Sequence, residues 1–331
     1  MFRAVSIIGD GAMGTVLAML LAEKDIPVRI WGYDGQQLDE FRKSGENKRF
    51  LPGYRVPKAV QFDSDDASIL ACADLIISAV PCQYMRGIWG RLGGHFRADV
   101  PIVSVTKGIE NVTLMRPSEI LGDVLGAEVR CAVLSGPTIA DELARRLPAT
   151  ACVASQDQDL AKAVQVTFNT DWFRVYTNRD LIGVEMASAC KNVIAIAAGI
   201  VDGVGAGDNA KAALLSRGLA EISRLGLACG ARAETFAGLA GLGDLVTTCI
   251  SPKGRNRMYG ERIGRGQSTG QALAATESVI EGVTTCESVA TLARQKGVEM
   301  PITEAVHQVI FQHKPVHQAI RDLMARQLRA E

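Results

Sequence analysis

The chain has 331 residues, 47% of them hydrophobic, enough for two buried cores, and its 36 basic residues balance 36 acidic ones. That neutrality argues against a nucleic-acid partner or an anionic membrane surface, so any bound anion must be gripped by a local cluster of charges. The eight cysteines are scattered with no Cys-x-x-Cys pair, which reads as small buried hydrophobes in a reducing cytoplasm and not as a metal or redox centre.

The first strand, residues 4–8, is reached almost at once, leaving no room for a cleavable signal. The apolar stretch 16–22 is far shorter than the roughly 20 residues that span a bilayer. A soluble chain without membrane insertion is expected. Gly9-Asp10-Gly11-Ala12-Met13-Gly14 follows this strand and opens a helical stretch over residues 15–24. Strand, glycines and helix in that order form a dinucleotide-binding turn. Gly9 takes the tight turn, Gly11 lets a pyrophosphate approach the backbone, and Gly14 lets helix and strand lie close. Asp34 ends the second apolar run, residues 28–31, about 20 residues past the glycines, where a carboxylate that holds a ribose is expected. Asp34 favours NAD by contesting a 2′-phosphate, while Tyr33 before it and the basic Lys48 and Arg49 leave NADP open.

Further strands are expected at 75–80, 101–106, 130–135, 151–154 and 173–177, with a helix at 35–44. This alternation predicts a parallel, doubly wound sheet. Ligands of such sheets bind at the carboxyl ends of strands. Three ends carry suitable chemistry: Pro81, Lys107-Gly108, and Gly136-Pro137-Thr138, where Pro137 suits a first helical position and would turn the N–H groups of residues 138–140 toward the crevice. Lys107 reads equally as a ligand or as an ordinary loop lysine. From Asn178 onward the texture turns helical, with stretches at 180–201, 209–225 and 287–296 and with Asn178 or Asp180 as N-cap. The domain boundary is placed at Thr177, giving a dinucleotide-binding domain over 1–177 and an all-α domain over 178–331. His313 and His317 have metal-ligand spacing, but Pro315 between them breaks the helix, and no metal is expected.

Lys191 lies in a helical run whose neighbours at three and four residues are Ala187, Ser188, Ile194 and Ala195. A cation among small and apolar groups is costly to desolvate, which would lower its pKa and ready it for proton transfer. The alternative is a snorkelling lysine whose amine reaches water. Asn192 beside it can offer a hydrogen bond or simply pack. The glycine-dense stretch 238–243 is a poor helix, hence a connector or a loop that must approach something closely. Asp244 at its end either caps the next helix or orients Lys191. Gly254-Arg255-Asn256-Arg257 sets a guanidinium fork beside an amide, a pair that grips phosphate or carboxylate, or a plain surface loop.

Beyond these local readings, the chain closely resembles the NAD(P)-dependent sn-glycerol-3-phosphate dehydrogenases of the bacterial soluble type. The resemblance rests on the glycine loop with Thr15, Val105-Thr106-Lys107-Gly108-Ile109-Glu110, Leu134-Ser135-Gly136-Pro137-Thr138, the run from Lys191 to Gly199, the stretch 238–244, and Arg255-Asn256-Arg257. It implies a Rossmann-type N-terminal domain, an all-α C-terminal domain, and a homodimer. The implied reaction is reversible reduction of dihydroxyacetone phosphate to sn-glycerol 3-phosphate, which supplies glycerophospholipid synthesis. Lys191 would be the catalytic acid/base. Lys107, Gly136, Thr138, Lys191, Asp244, Gly254, Arg255 and Asn256 would line the substrate. Gly9, Gly11, Ala12, Met13, Gly14, Tyr33, Asp34, Lys107, Ala140, Arg255, Val279 and Glu281 would contact NAD or NADP. Three positions depart from the family pattern: Met13 and Ile139 stand where aromatics are usual, and Gly254 where serine is common. Two rivals remain. A β-hydroxyacid dehydrogenase shares the glycine loop and the lysine–asparagine pair but binds a carboxylate. A non-catalytic NAD(P) sensor would bind cofactor without turnover.

Overall fold

The computed structural model describes residues 2–276 and 278–327. All eight strands form one sheet: β1 (Val5–Ile8), β2 (Val28–Trp31), β3 (Val60–Asp63), β4 (Leu75–Ser78), β5 (Ile102–Ser104), β6 (Cys131–Ser135), β7 (Ala149–Ala154) and β8 (Phe173–Asn178), in the order β3-β2-β1-β4-β5-β6-β7-β8. The central strands β1 and β4 are short and buried on both faces because helices cover both sides. Val5, Ile7, Leu75 and Ile77 face one core with α1 (Ala12–Glu23). Ile8, Ile76 and Ile102 face the other. The remaining helices of this part are α2 (Gly35–Ser44), α3 (Asp66–Ala71), α4 (Cys82–Leu92), α5 (Pro117–Leu125), α6 (Ala140–Ala144) and α7 (Gln158–Phe168).

Two features of the sheet differ from expectation. β7 runs antiparallel to β6, with Leu134 opposite Val153, while the other pairs are parallel. The cause is α6, which is too short to carry the chain back across the sheet, so β7 starts at the end where β6 stopped. The edge strand β3 has no apolar run to announce it, because only Val60 of its four residues is buried. Its pairing to β2, not its own sequence, makes it a strand.

The second half is helical: α8 (Leu181–Gly203), α9 (Gly207–Ala228), α10 (Ala233–Ala237), α11 (Asp244–Ile250), α12 (Arg255–Gly264), α13 (Thr269–Ala274), α14 (Glu281–Lys296), α15 (Pro301–Phe311) and α16 (Val316–Met324). α8 is long and apolar enough to cross a membrane, yet 94% of that stretch is buried inside the fold as a core helix. Asp180 caps it, Oδ1 accepting from the Gly183 N–H at 2.9 Å.

By packing, the chain divides into two compact units: Met1–Lys107 with Met115–Glu185, and Gly108–Leu114 with Met186–Glu331. The division falls within α8, later than Thr177. The first turns of α8 stay with the sheet unit because the fully buried Glu185 carboxylate accepts from the Ser118 N–H at 2.7 Å and pairs with Arg116. The short segment Gly108–Leu114 joins the helical unit because Ser288 Oγ donates to Ile109 O at 2.9 Å and Asn111 Nδ2 donates to Glu287 Oε2 at 2.8 Å.

Within the helical unit, Glu221 of α9 caps α15 from the side, accepting from the N–H groups of Ile302 at 2.7 Å and Thr303 at 3.2 Å. Burial pushes this carboxyl up from 4.5 to about 7, against the pull of those N–H donors. A folded-state pKa above the unfolded one means extra stability that is fully present below pH 4.5 and is lost as pH rises through about 7. Glu221→Gln removes that titration. Chemical denaturation from pH 4.5 to 8 should show the parent losing up to about 3 kcal/mol more than the variant over this range.

Candidate active site

The sheet reverses its strand order between β1 and β4, the position where a doubly wound fold opens a crevice at its carboxyl edge. The glycine turn lies there. Gly9 has φ +116° and leans on β4, so that a Cβ would meet Ala79 O at 2.8 Å. A Cβ on Gly14 would lie 2.2 Å from Gly9 O, which is the close helix–strand contact the spacing called for. Above Gly11 there is nothing within 4 Å, leaving its backbone open to a ligand. Gly11, Ala12 and Met13 form the start of α1, whose first N–H groups have no side-chain cap. This turn therefore fits the pyrophosphate of a dinucleotide.

At the end of β2, Tyr33 is 72% exposed and the Arg91 guanidinium sits 5.8 Å from its ring centroid. Asp34 caps α2, Oδ1 accepting from the N–H groups of Gln36 and Gln37 at 3.0 and 3.3 Å. Gln37 also donates to Asp10 Oδ2 at 2.8 Å and accepts from Arg49 at 2.5 Å, so Arg49 is linked through Gln37 to the glycine turn. Burial, with the nearby Asp34 charge adding to it, raises the Asp10 carboxyl.

The ends of β5 and β6 meet. Lys107 Nζ donates to Gly136 O at 3.1 Å and reaches Thr138 Oγ1 at 3.5 Å. Gly136 has φ +147° and a Cβ there would press on Ala151 Cα at 2.9 Å. Pro137 is not a first helical residue. The chain bends at residues 136–137, Ile139 is the extended N-cap, and α6 begins only at Ala140.

In the helical unit, Lys191 is 4% exposed, with Ala187, Ser188, Ile194 and Ala195 buried around it. Its amine does not snorkel. It donates to Asp244 Oδ1 at 2.8 Å and to Thr248 Oγ1. The expected isolated cation is thus a buried ion pair, and the carboxylate offsets much of the desolvation cost. The N-cap of α11 is Gly243 and not Asp244, whose carboxylate holds the lysine amine. Thr248 was missed in the sequence; it stands four residues after Asp244, one turn along the same face of α11, and that spacing could have pointed to it. The glycines before Asp244 are neither connector nor open loop but a single π-helical turn, Leu239–Gly243, running straight into α11. What they approach is their own chain: a Cβ on Gly241 would lie 2.1 Å from Phe236 O.

Arg255 and Asn256 open α12. Arg255 Nη1 donates to Val279 O at 3.1 Å. Asn256 Oδ1 accepts from the Gly282 N–H at 2.9 Å, which fixes the amide so that its Nδ2 is the end left to donate. A Cβ on Gly282 would meet Asn256 Oδ1 at 2.6 Å and Asn192 O at 2.8 Å, so this glycine touches both the lysine helix and Asn256 of α12. Glu281 is the first residue of α14. Gly254 is the N-cap of α12, and even a Cβ there would lie 3.0 Å from Thr248 O, so the serine usual at this place would be tight. The candidate residues thus fall into two sets. Gly9, Gly11, Ala12, Met13, Gly14, Tyr33, Asp34, Lys107, Gly136, Thr138 and Ala140 belong to the sheet unit, and Lys191, Asp244, Gly254, Arg255, Asn256, Val279 and Glu281 to the helical unit.

The strand order and the glycine turn make the first unit a Rossmann-type dinucleotide-binding domain, and the second unit holds a buried lysine paired with a carboxylate. Comparison with known proteins narrows the class. Residues 4–161 match the N-terminal and residues 180–321 the C-terminal model of NAD-dependent glycerol-3-phosphate dehydrogenase. A glycerol-3-phosphate dehydrogenase [NAD(P)+] of Geobacter sulfurreducens is 46% identical over all of this chain and 99% of its own. One from Streptomyces griseus is 42% identical over 98% of this chain and 97% of its own. The crystal structure of glycerol-3-phosphate dehydrogenase from Coxiella burnetii superposes with a TM-score of 0.95 at 37% identity, covering 98% of this chain and 99% of that one. The chain belongs to the NAD-dependent glycerol-3-phosphate dehydrogenase family.

The lysine helix and α12 cross backbone on backbone, since a Cβ on Gly199 would lie 1.9 Å from Arg257 O. Gly199→Ala must push the helices apart and should cost at least about 1–3 kcal/mol, read from the urea midpoint.

Proposed function

We propose that the chain catalyses the reversible reduction of dihydroxyacetone phosphate to sn-glycerol 3-phosphate with NADH or NADPH. The observation that carries the reading is the buried Lys191 amine, held by Asp244 and Thr248 in a chain whose relatives carry this activity by name. Bound nicotinamide supplies the two-electron reduction of the ketone carbon. Negative charge then grows on the ketone oxygen, and the Lys191 ammonium stabilises it and donates a proton there. In the reverse direction the neutral amine takes the hydroxyl proton. Asp244 and Thr248 accept from the amine and aim it at the substrate oxygen.

The Arg255 fork, the Asn256 Nδ2 and the open start of α12 grip the phosphate, so a remote dianion orients the reacting carbon. Lys107, Gly136 and Thr138, which bond one another, line the substrate from the sheet unit. Tyr33, Asp34, Ala140, Val279 and Glu281 contact the cofactor with the glycine turn. Arg49 beside Gln37 and Asp10 supports use of NADPH, and the Asp34 carboxylate supports NADH. We further infer a cytoplasmic homodimer that feeds glycerophospholipid synthesis; the eight free cysteines fit a reducing compartment.

Oxidation of NADH and of NADPH with dihydroxyacetone phosphate tests substrate and cofactor together, with small 3-oxo acids as the control for a carboxylate-binding enzyme. Lys191→Met should lower kcat by about 10²–10⁴-fold while NADH binding, followed by fluorescence, stays within about twofold. A variant with near-parental turnover would remove Lys191 from the mechanism.

A further inference from the structure

Arg257 follows the gripping pair directly, yet its guanidinium is turned away from that task. One terminal nitrogen pairs with Asp202 Oδ2 at 2.5 Å and the other with Glu261 Oε2 at 3.3 Å. Its Nε is buried without a hydrogen-bond partner among the described residues. Asp202 stands in the last turn of α8, the helix that carries Lys191, and its other oxygen pairs with Lys211 Nζ of α9 at 2.6 Å. One carboxylate therefore ties α8, α9 and α12 together.

The backbone of Arg257 is a contact point too. Its carbonyl lies against Gly199 of α8, and the crossing continues with Gly260 against Ile196 O, where a Cβ would come within 2.0 Å, and Gly264 against Ile200 O at 2.5 Å. Glycines at these places let two helices touch, but a smooth glycine crossing leaves them free to slide and rotate. A side-chain bond across it removes that freedom. The Arg257–Asp202 bond does this one to two residues from Arg255 and Asn256, at the end of α12 where their positions are decided.

We propose that Arg257, held by Asp202, is a positioning residue that sets the register of α12 on α8 and thereby places the Arg255–Asn256 phosphate grip relative to the Lys191 amine. The inference rests on the reading of the substrate as a phosphorylated ketone. Its specific consequence is that loss of the bond weakens phosphate-dependent binding and leaves the proton-transfer chemistry intact.

Steady-state kinetics of Asp202→Asn and Arg257→Gln test this, using dihydroxyacetone phosphate and, as the probe without a phosphate, dihydroxyacetone. Both variants should raise KM for dihydroxyacetone phosphate by about tenfold or more with kcat within about threefold, and should leave kcat/KM for dihydroxyacetone within about twofold of the parent. NADH binding should be unchanged. Arg257→Lys keeps a charge without the fork and should fall between parent and Arg257→Gln. It also stands in should the glutamine variant not fold. Unchanged KM in the asparagine and lysine variants overturns the proposal, as does an equal loss with both substrates, which would mark the bond as merely structural. If the parent itself does not turn over dihydroxyacetone phosphate, the substrate reading fails and takes this inference with it. An active parent with unaffected variants overturns the inference alone.

Discussion

A cation buried in an apolar helix is the constraint around which the helical unit is built. Lys191 has hydrophobic or small neighbours on its own helix, so everything that makes its charge tolerable comes from elsewhere in sequence. Asp244 supplies the counter-charge and Thr248 a neutral acceptor, both from α11. For these two to reach the amine, the chain before them makes a π-turn, a geometry that advances the register of a helix and recurs where function needs it. Truncating Asp244 would remove the carboxylate beside this buried ammonium, which makes the pair a structural element of the unit.

A second theme is the use of glycine for backbone contact. At Gly9 and Gly14 it brings the first helix onto the first strand, which leaves Gly11 facing open space. At Gly199, Gly260 and Gly282 it brings three helices to within atomic contact around Asn256. In both units the ligand-facing groups are held by main chain lying on main chain, with few rotatable side chains between. Such contacts leave no room for a side chain at the glycine, so a substitution there forces the backbones apart.

How far the sequence disclosed this differs by element. The glycine turn was legible because each of its glycines answers a local need, and the helix 35–44 because its helical spacing marks it without help from the rest of the chain; that Asp34 caps it emerged only in the structure. The strand β3 was not legible: with one buried residue it has no pattern of its own. Nor was the reversal of β7, which depends on how far α6 travels, or the π-turn, whose glycines read equally as a loop. Lys191 stood out as misplaced in an apolar helix and Asp244 as one of two readings for its partner, but Thr248, 57 residues away, did not stand out.

By itself, then, the amino-acid order determined the elements whose driving forces are short-range: the phosphate turn, the buried helix with its lysine, the alternation of strand and helix, and family membership through motifs. Tertiary structure alone decided which carboxylate meets that lysine, which way β7 runs, and that Asp202 bonds Arg257. Local patterning is set by backbone sterics and periodic burial within a few residues. The pairing of charges depends on where distant helices cross, and helices cross where the packing of whole surfaces allows.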